Sequence, residues 1–119
     1  MDAVKCVSPI DGRYNSKTCE LNKYFSEFAY QYYRLYTEIE YLIFYTKKGI
    51  FNVFVKDFEN LRNIYKNFDV CESKKIKEIE KTTNHDIKAI EYYIRTKCLQ
   101  EKIVFNYEFI HFGLTSQDI

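Results

Sequence analysis

Apolar residues recur every three or four positions along most of this chain, the period of amphipathic helices. From Glu20 to about Lys47, one stripe is marked by Leu21, Phe25, Phe28, Tyr32, Leu35, Ile39 and Leu42. Lys47 and Lys48, followed by Gly49, predict where that helix ends. Cations there meet the negative end of the helix dipole, and glycine tolerates a left-handed cap. The other faces carry Tyr30, Tyr33, Tyr36, Tyr41 and Phe44, so the helix is expected to be covered on more than one side.

The same period predicts a second helix from about Lys56 to Phe68, with Phe58, Leu61, Ile64, Tyr65 and Phe68 as its stripe. A third is predicted to follow Ser73 as N-cap and to run through Glu80. It has only Ile76 and Ile79 as apolar residues and reads as a solvated helix laced with charge pairs. Thr82-Thr83-Asn84 interrupts the pattern, and Thr83 or Asn84 is the expected cap of the next helix. That helix is predicted to bury Ile87, Ile90, Tyr93 or Ile94, and Cys98. Residues 108–113 read as a short apolar turn or helix, and Thr115-Ser116-Gln117-Asp118 as a fresh helix start. A helix that starts at residue 116 of a chain whose last residue is Ile119 has no body, so a longer polypeptide is expected.

Residues 1–19 break the helical pattern. Pro9 biases Ser8 away from helix, and Asp11-Gly12 is a turn signal. With three Gly and one Pro in 119 residues, a glycine placed here marks a demanding backbone position. The expected fold class is all-α: an extended, turn-rich N-terminal arm over 1–19, a helical domain over 20–110, and the start of a further helical domain over 111–119.

Composition narrows the function. Hydrophobic residues make up 46% and charged residues 29%, a globular balance. The net charge of +1 and the lack of a basic run on an aromatic platform argue against nucleic acid as a partner. No signal peptide opens the chain, and the best apolar stretch, Ile39 to Thr46, is too short for a bilayer, so no membrane partner is expected. Cys6, Cys19, Cys71 and Cys98 form no CxxC pair. Reduced thiols in the cytoplasm are therefore expected, without a zinc site.

Three stretches carry candidate chemistry. Arg13 follows the Asp-Gly turn in Ser8-Pro9-Ile10-Asp11-Gly12-Arg13-Tyr14, well placed to grip a phosphate or carboxylate. Thr82-Thr83-Asn84-His85-Asp86 opens a helix, where N–H groups and the dipole favour an anion and His85 can move a proton. Thr115 and Ser116 place two hydroxyls at another helix start, next to Gly113. Taken singly, each also fits an ordinary role: a surface ion pair for Arg13, a cap for Asn84 to Asp86, a cap for Thr115 and Ser116, and a core histidine for His111.

In this order the stretches resemble the adenylosuccinate lyase family of the fumarase/aspartase superfamily. The matching blocks are Ser8 to Tyr14; Thr82-Thr83-Asn84-His85-Asp86-Ile87-Lys88-Ala89-Ile90-Glu91-Tyr92; and Phe109-Ile110-His111-Phe112 with Thr115-Ser116-Gln117-Asp118-Ile119. The resemblance covers the whole chain but about the first quarter of a typical member. It implies an N-terminal helical domain followed by a central helix bundle, a homotetramer with active sites shared between subunits, and no metal or organic cofactor. The implied reaction is β-elimination of fumarate from adenylosuccinate to give AMP, and from the succinyl-aminoimidazole carboxamide ribotide.

By the same resemblance, Arg13 and Tyr14 contact the nucleotide at its phosphate end. Asn84, His85 and Asp86 line the substrate site, with His85 catalytic, assisting proton transfer or orienting the substrate. Thr115 and Ser116 contact a substrate carboxylate, and His111 has no catalytic role. The family's general-base serine lies in a Ser-Ser-x-Met-Pro loop and its second histidine in a Thr-His-x-Gln segment. Neither occurs in these residues, so they are expected to lack lyase activity alone. The alternatives are another lyase of the superfamily, or a non-catalytic helical module that assembles with a partner.

Overall fold

The computed structural model describes residues 2–49 and 58–119. Every regular element among them is helical, so the fold is all-α. The chain divides into two compact units, one up to Tyr30 and one from Gln31 onward.

In the first unit the arm is not extended. A 3-10 turn spans Ala3–Lys5, capped by Asp2. The Ser8 carbonyl accepts from both Asp11 and Gly12 N–H at 3.1 Å, and Pro9 O accepts from Tyr14 N–H at 2.8 Å. These local bonds wind the segment into turns that lead into helix α1 (Asn15–Thr18). The Thr18 hydroxyl ties back to Ile10 O at 3.0 Å. Gly12 is the demanding position the sequence marks, and the reason is a close approach: a Cβ there would sit 2.4 Å from Ala3 O. Any side chain would push the two backbone stretches apart.

The helix predicted from Glu20 is broken. A 3-10 turn (Cys19–Leu21) and α2 (Asn22–Phe25) end at Ser26, whose backbone is extended at φ −76°, ψ 166°. Ser26 Oγ then accepts from Ala29 N–H at 3.1 Å and caps α3 (Glu27–Lys48). Serine competes for backbone in this way because its short hydroxyl reaches the free N–H groups of a helix start. The first residues of the predicted stripe are consequently left out of the core, with Phe25 83% exposed.

The second unit carries the main core. α3 contributes Leu35, Ile39, Leu42 and Ile43, and ends at Gly49 in the left-handed region (φ 66°), as the sequence predicts. α4 (Phe58–Lys66) contributes Leu61, Ile64 and Tyr65; the start predicted at Lys56 lies outside the described residues. α5 (Val70–Thr83) begins earlier than expected, because the Asp69 carboxylate caps it by accepting from Glu72 N–H at 2.9 Å. Ser73 instead donates its hydroxyl to Gln31. As predicted, α5 is mostly solvated and laced with pairs, Lys75–Glu72, Lys77–Glu80 and Lys81–Glu78 at 2.8–3.1 Å.

α6 (Asp86–Gln100) buries Ile87, Ile90, Tyr93, Ile94 and Cys98, every residue its periodicity predicts. Each fully buried aliphatic side chain contributes roughly 1.5–3 kcal/mol. Burial pushes the Cys98 thiol up to about 12, so this cysteine is a core filler and not a nucleophile.

One polar bracket joins α3 to α4. Glu40 accepts from Arg62 Nε at 2.8 Å and from the Tyr65 hydroxyl at 2.6 Å. The Arg62 hydrogen bond is the main reason the Glu40 carboxyl lies below its ordinary range. A depressed carboxyl stabilises the fold fully above its unfolded pKa, about 4.3 for glutamate, and loses that contribution as pH falls through the folded value. Arg62→Met is therefore expected to flatten the loss of stability below about pH 4, as measured by urea unfolding at stepped pH.

Candidate active site

Arg13 and Tyr14 lie in the first unit, just after the turn that Gly12 makes possible. Both are exposed, and the Arg13 guanidinium lies over the Tyr14 ring, 5.4 Å from its centroid. An exposed guanidinium stacked on a ring is well suited to gripping an anion.

Asn84, His85 and Asp86 form the corner between α5 and α6. Asn84 ends α5 in the left-handed conformation (φ 54°), its N–H bonded to Glu80 O at 2.8 Å. Asparagine visits that region more readily than other non-glycine residues. The cap of α6 is His85, not Thr83 or Asn84 as the sequence suggests: its Nδ1 accepts from Lys88 N–H at 3.2 Å. The Thr83 hydroxyl is used instead to accept from His85 N–H at 3.3 Å.

Two consequences follow for chemistry. Because Nδ1 is the acceptor, the neutral ring carries its proton on Nε2, which makes His85 a donor toward anything bound beside it. Its side chain is 53% exposed. Meanwhile Ile87 N–H is taken by Asp86 Oδ1 at 2.9 Å, so the Ile87 and Lys88 N–H groups of the first turn of α6 are both met by its own side chains. The imidazole, and not the bare helix start, is the group this corner offers.

Asp86 is held from the other side. Arg34 Nη1 reaches its Oδ2 at 2.8 Å, and this bond is the main cause that keeps the Asp86 carboxyl below its ordinary range. Arg34 is buried on α3.

Thr115 and Ser116 open a 3-10 turn (Ser116–Asp118). The Asp118 carboxylate accepts both the Thr115 N–H at 2.8 Å and the Thr115 hydroxyl at 3.1 Å. These bonds lower its pKa. The Ser116 hydroxyl has no hydrogen-bond partner among the described residues and is exposed. Of the two hydroxyls, Ser116 is the one open to a ligand.

This turn also hangs from α3. His111 Nδ1 is hydrogen-bonded to Glu38 Oε1, and Gly113 passes over Tyr41, where a Cβ would meet the hydroxyl at 3.7 Å. His111 is itself left-handed at φ 65°, a conformation costing of order 1–3 kcal/mol in a non-glycine residue. The Glu38 side chain is 1% exposed, and its Oε2 has no partner among the described residues. An unsatisfied buried polar atom costs about 1–3 kcal/mol. Burial is the largest influence on this carboxyl and raises its pKa against the opposing pull of His111, with nearby Glu91 raising it further. Arg34 and Glu38 are four residues apart, one helical turn or roughly 6 Å along α3. The His85 corner and the Ser116 turn are thus anchored side by side on one helix.

The anchors Gln31, Arg34 and Glu38 were not among the residues the sequence singled out. Their signal was present as spacing: positions 31, 34 and 38 recur at three and four, flanking the apolar stripe of 35, 39 and 42. Among the described residues no group of His, Cys, Asp and Glu could hold a metal ion, and no helix is long and apolar enough to cross a membrane.

No protein-family model matches the chain. Curated proteins do. An adenylosuccinate lyase of Dictyostelium discoideum is 49% identical over 127 residues, covering 100% of this chain and 27% of the relative. One from Legionella pneumophila is 43% identical over 125 residues, and one from Vibrio cholerae 42% identical over 127, with the same shares covered. The chain therefore spans about a quarter of the length of these relatives. Along its whole length, the chain is therefore similar to an N-terminal segment of adenylosuccinate lyases.

Proposed function

We propose that the complete protein containing this chain is an adenylosuccinate lyase, which releases fumarate from adenylosuccinate to leave AMP, and acts likewise on the succinyl-aminoimidazole carboxamide ribotide. The observation that carries this reading is the similarity to adenylosuccinate lyases from end to end of the chain. In this reading the enzyme is a cytoplasmic homotetramer that needs no metal or organic cofactor. Residues 20–110 form its N-terminal helical domain, and residues 111–119 start its central bundle.

The substrate carries a phosphate and two carboxylates. Elimination takes a proton from the carbon beside one carboxylate, breaks the bond between carbon and nitrogen, and returns a proton to the leaving nitrogen. Arg13 and Tyr14 grip the phosphate. Ser116 donates to a carboxylate as charge develops there, a preorganised dipole of the kind that lowers such barriers, while Thr115 lies beside it against the same carboxylate and holds the turn through Asp118. His85 presents Nε2–H to the substrate and assists proton transfer, while Asn84 and Asp86 shape the corner around it. The base and the second histidine come from segments outside these residues. Accordingly, the 119 residues alone are expected to show no turnover.

The test is a substrate panel on the full-length protein: the two succinyl-nucleotides, argininosuccinate and malate, with fumarate formation followed by absorbance. Release of fumarate from the succinyl-nucleotides alone is expected. A preference for argininosuccinate or malate would overturn the assignment.

A further inference from the structure

We infer that Glu38 is a positioning residue for the proposed reaction, acting through His111 to fix the turn that presents Ser116. The inference rests on the reading of that turn as part of the substrate site.

Three unfavourable features meet at one point. Glu38 is buried with one carboxylate oxygen lacking a partner among the described residues. A second carboxylate, Glu91, is buried close enough to disfavour its charge, although Lys88 pairs with Glu91 at 3.4 Å. His111 holds a left-handed backbone beside Gly113 at φ 71°. A core selected for stability alone would fill this place with an apolar pair, because isolated buried ion pairs are often no better than well-packed hydrophobic residues. What the pair provides is direction. A carboxylate facing Nδ1 fixes which way the imidazole points, and the His111 carbonyl then accepts from Leu114 N–H at 3.3 Å to close the turn.

Next to the turn, Ile110 is buried and Phe109 lies against Phe112. Thr115 and Asp118 bond to each other within it, and Tyr41 lies beneath Gly113, one turn along α3 from Glu38. The Glu38–His111 bond is a buried polar contact that links α3 to the start of the segment. A shift of about 1 Å in a positioning group can cost a hundredfold in rate.

This role differs measurably from plain structural support. Burial raises the Glu38 carboxyl, so its ionised form costs folding free energy, and glutamine removes that cost. In the full-length lyase, Glu38→Gln is expected to leave the melting temperature unchanged or higher. It should lower kcat/KM for adenylosuccinate by about ten- to a hundredfold, mainly through kcat. Glu38→Asp should recover part of the loss seen with Glu38→Ala, and would supply the same readings if the glutamine variant failed to fold. In a double-mutant cycle, Glu38→Gln should add little to Ser116→Ala but multiply with Arg13→Ala.

Wild-type kinetics in Glu38→Gln, or a lowered melting temperature with effects that multiply with Ser116→Ala, would overturn the positioning role while leaving the lyase reading intact. Unaltered catalysis in Ser116→Ala would instead remove the turn from the substrate site, and this inference with it.

Discussion

His85→Asn in the full-length protein is expected to lower kcat by about 10²–10⁴-fold, the usual contribution of a positioned proton-transfer group. Asparagine is the informative replacement because it separates two jobs. The His85 ring caps α6 by accepting from Lys88 N–H, and asparagine is among the best N-cap residues. The helix start is thus preserved while the proton on Nε2 is lost. Alanine would remove both and mix a capping loss of about 0.5–2 kcal/mol into the result. Stability should therefore stay within about 1 kcal/mol of wild type in urea unfolding while steady-state turnover collapses. Retention of more than about a tenth of kcat would show that the imidazole moves no proton in the slow step.

The second large effect concerns the fold. Ile39→Ala should destabilise the chain by about 2–5 kcal/mol, seen as a lower urea midpoint at an unchanged slope. Ile39 is fully buried at the middle of α3, between Leu35 and Leu42 on the face that meets the rest of the core. Removing its three distal carbons leaves a void that neighbouring helices close only in part. Leu99→Ala is the matched control: it removes the same number of carbons from α6 at a site 65% exposed, and should cost within about 0.5 kcal/mol. Equal costs at the two sites would mean that α3 is not the spine of this core.

Much of this was legible in the chain, and the misses have identifiable causes. Residues 87–98 repeat their apolar positions without a conflicting signal, and α6 buries all of them. Gly49 behind two lysines ends α3 where the sequence places it. Periodicity could not reveal the break at Ser26, because apolar spacing continues straight through it and only a hydroxyl competing for Ala29 N–H interrupts the helix. Asp69 was missed as a cap for a similar reason: Ser73 is an equally good capping type, and the choice was made by its pairing with Gln31, forty-two residues away in sequence.

In the candidate site, the residue types were readable and their supports were not. His85 and Ser116 stand in recognisable local patterns. The arginine and glutamate that steady their segments sit on α3, far off in sequence, among charged residues that composition alone would put in solvent. Only the assembled core distinguishes Arg34 and Glu38 from Arg62, which stays near the surface.

Because Arg34 and Glu38 face their partners from one helix, the length of chain between them acts as a gauge. Deleting or inserting a single residue there would swing everything downstream by about 100° around the axis. Glu38 would then turn away from His111 while Arg34 kept its grip on Asp86. Even the half-exposed Tyr36 in this stretch packs edge-on against Tyr65, 5.0 Å between ring centroids, and the spacing itself tolerates no indel.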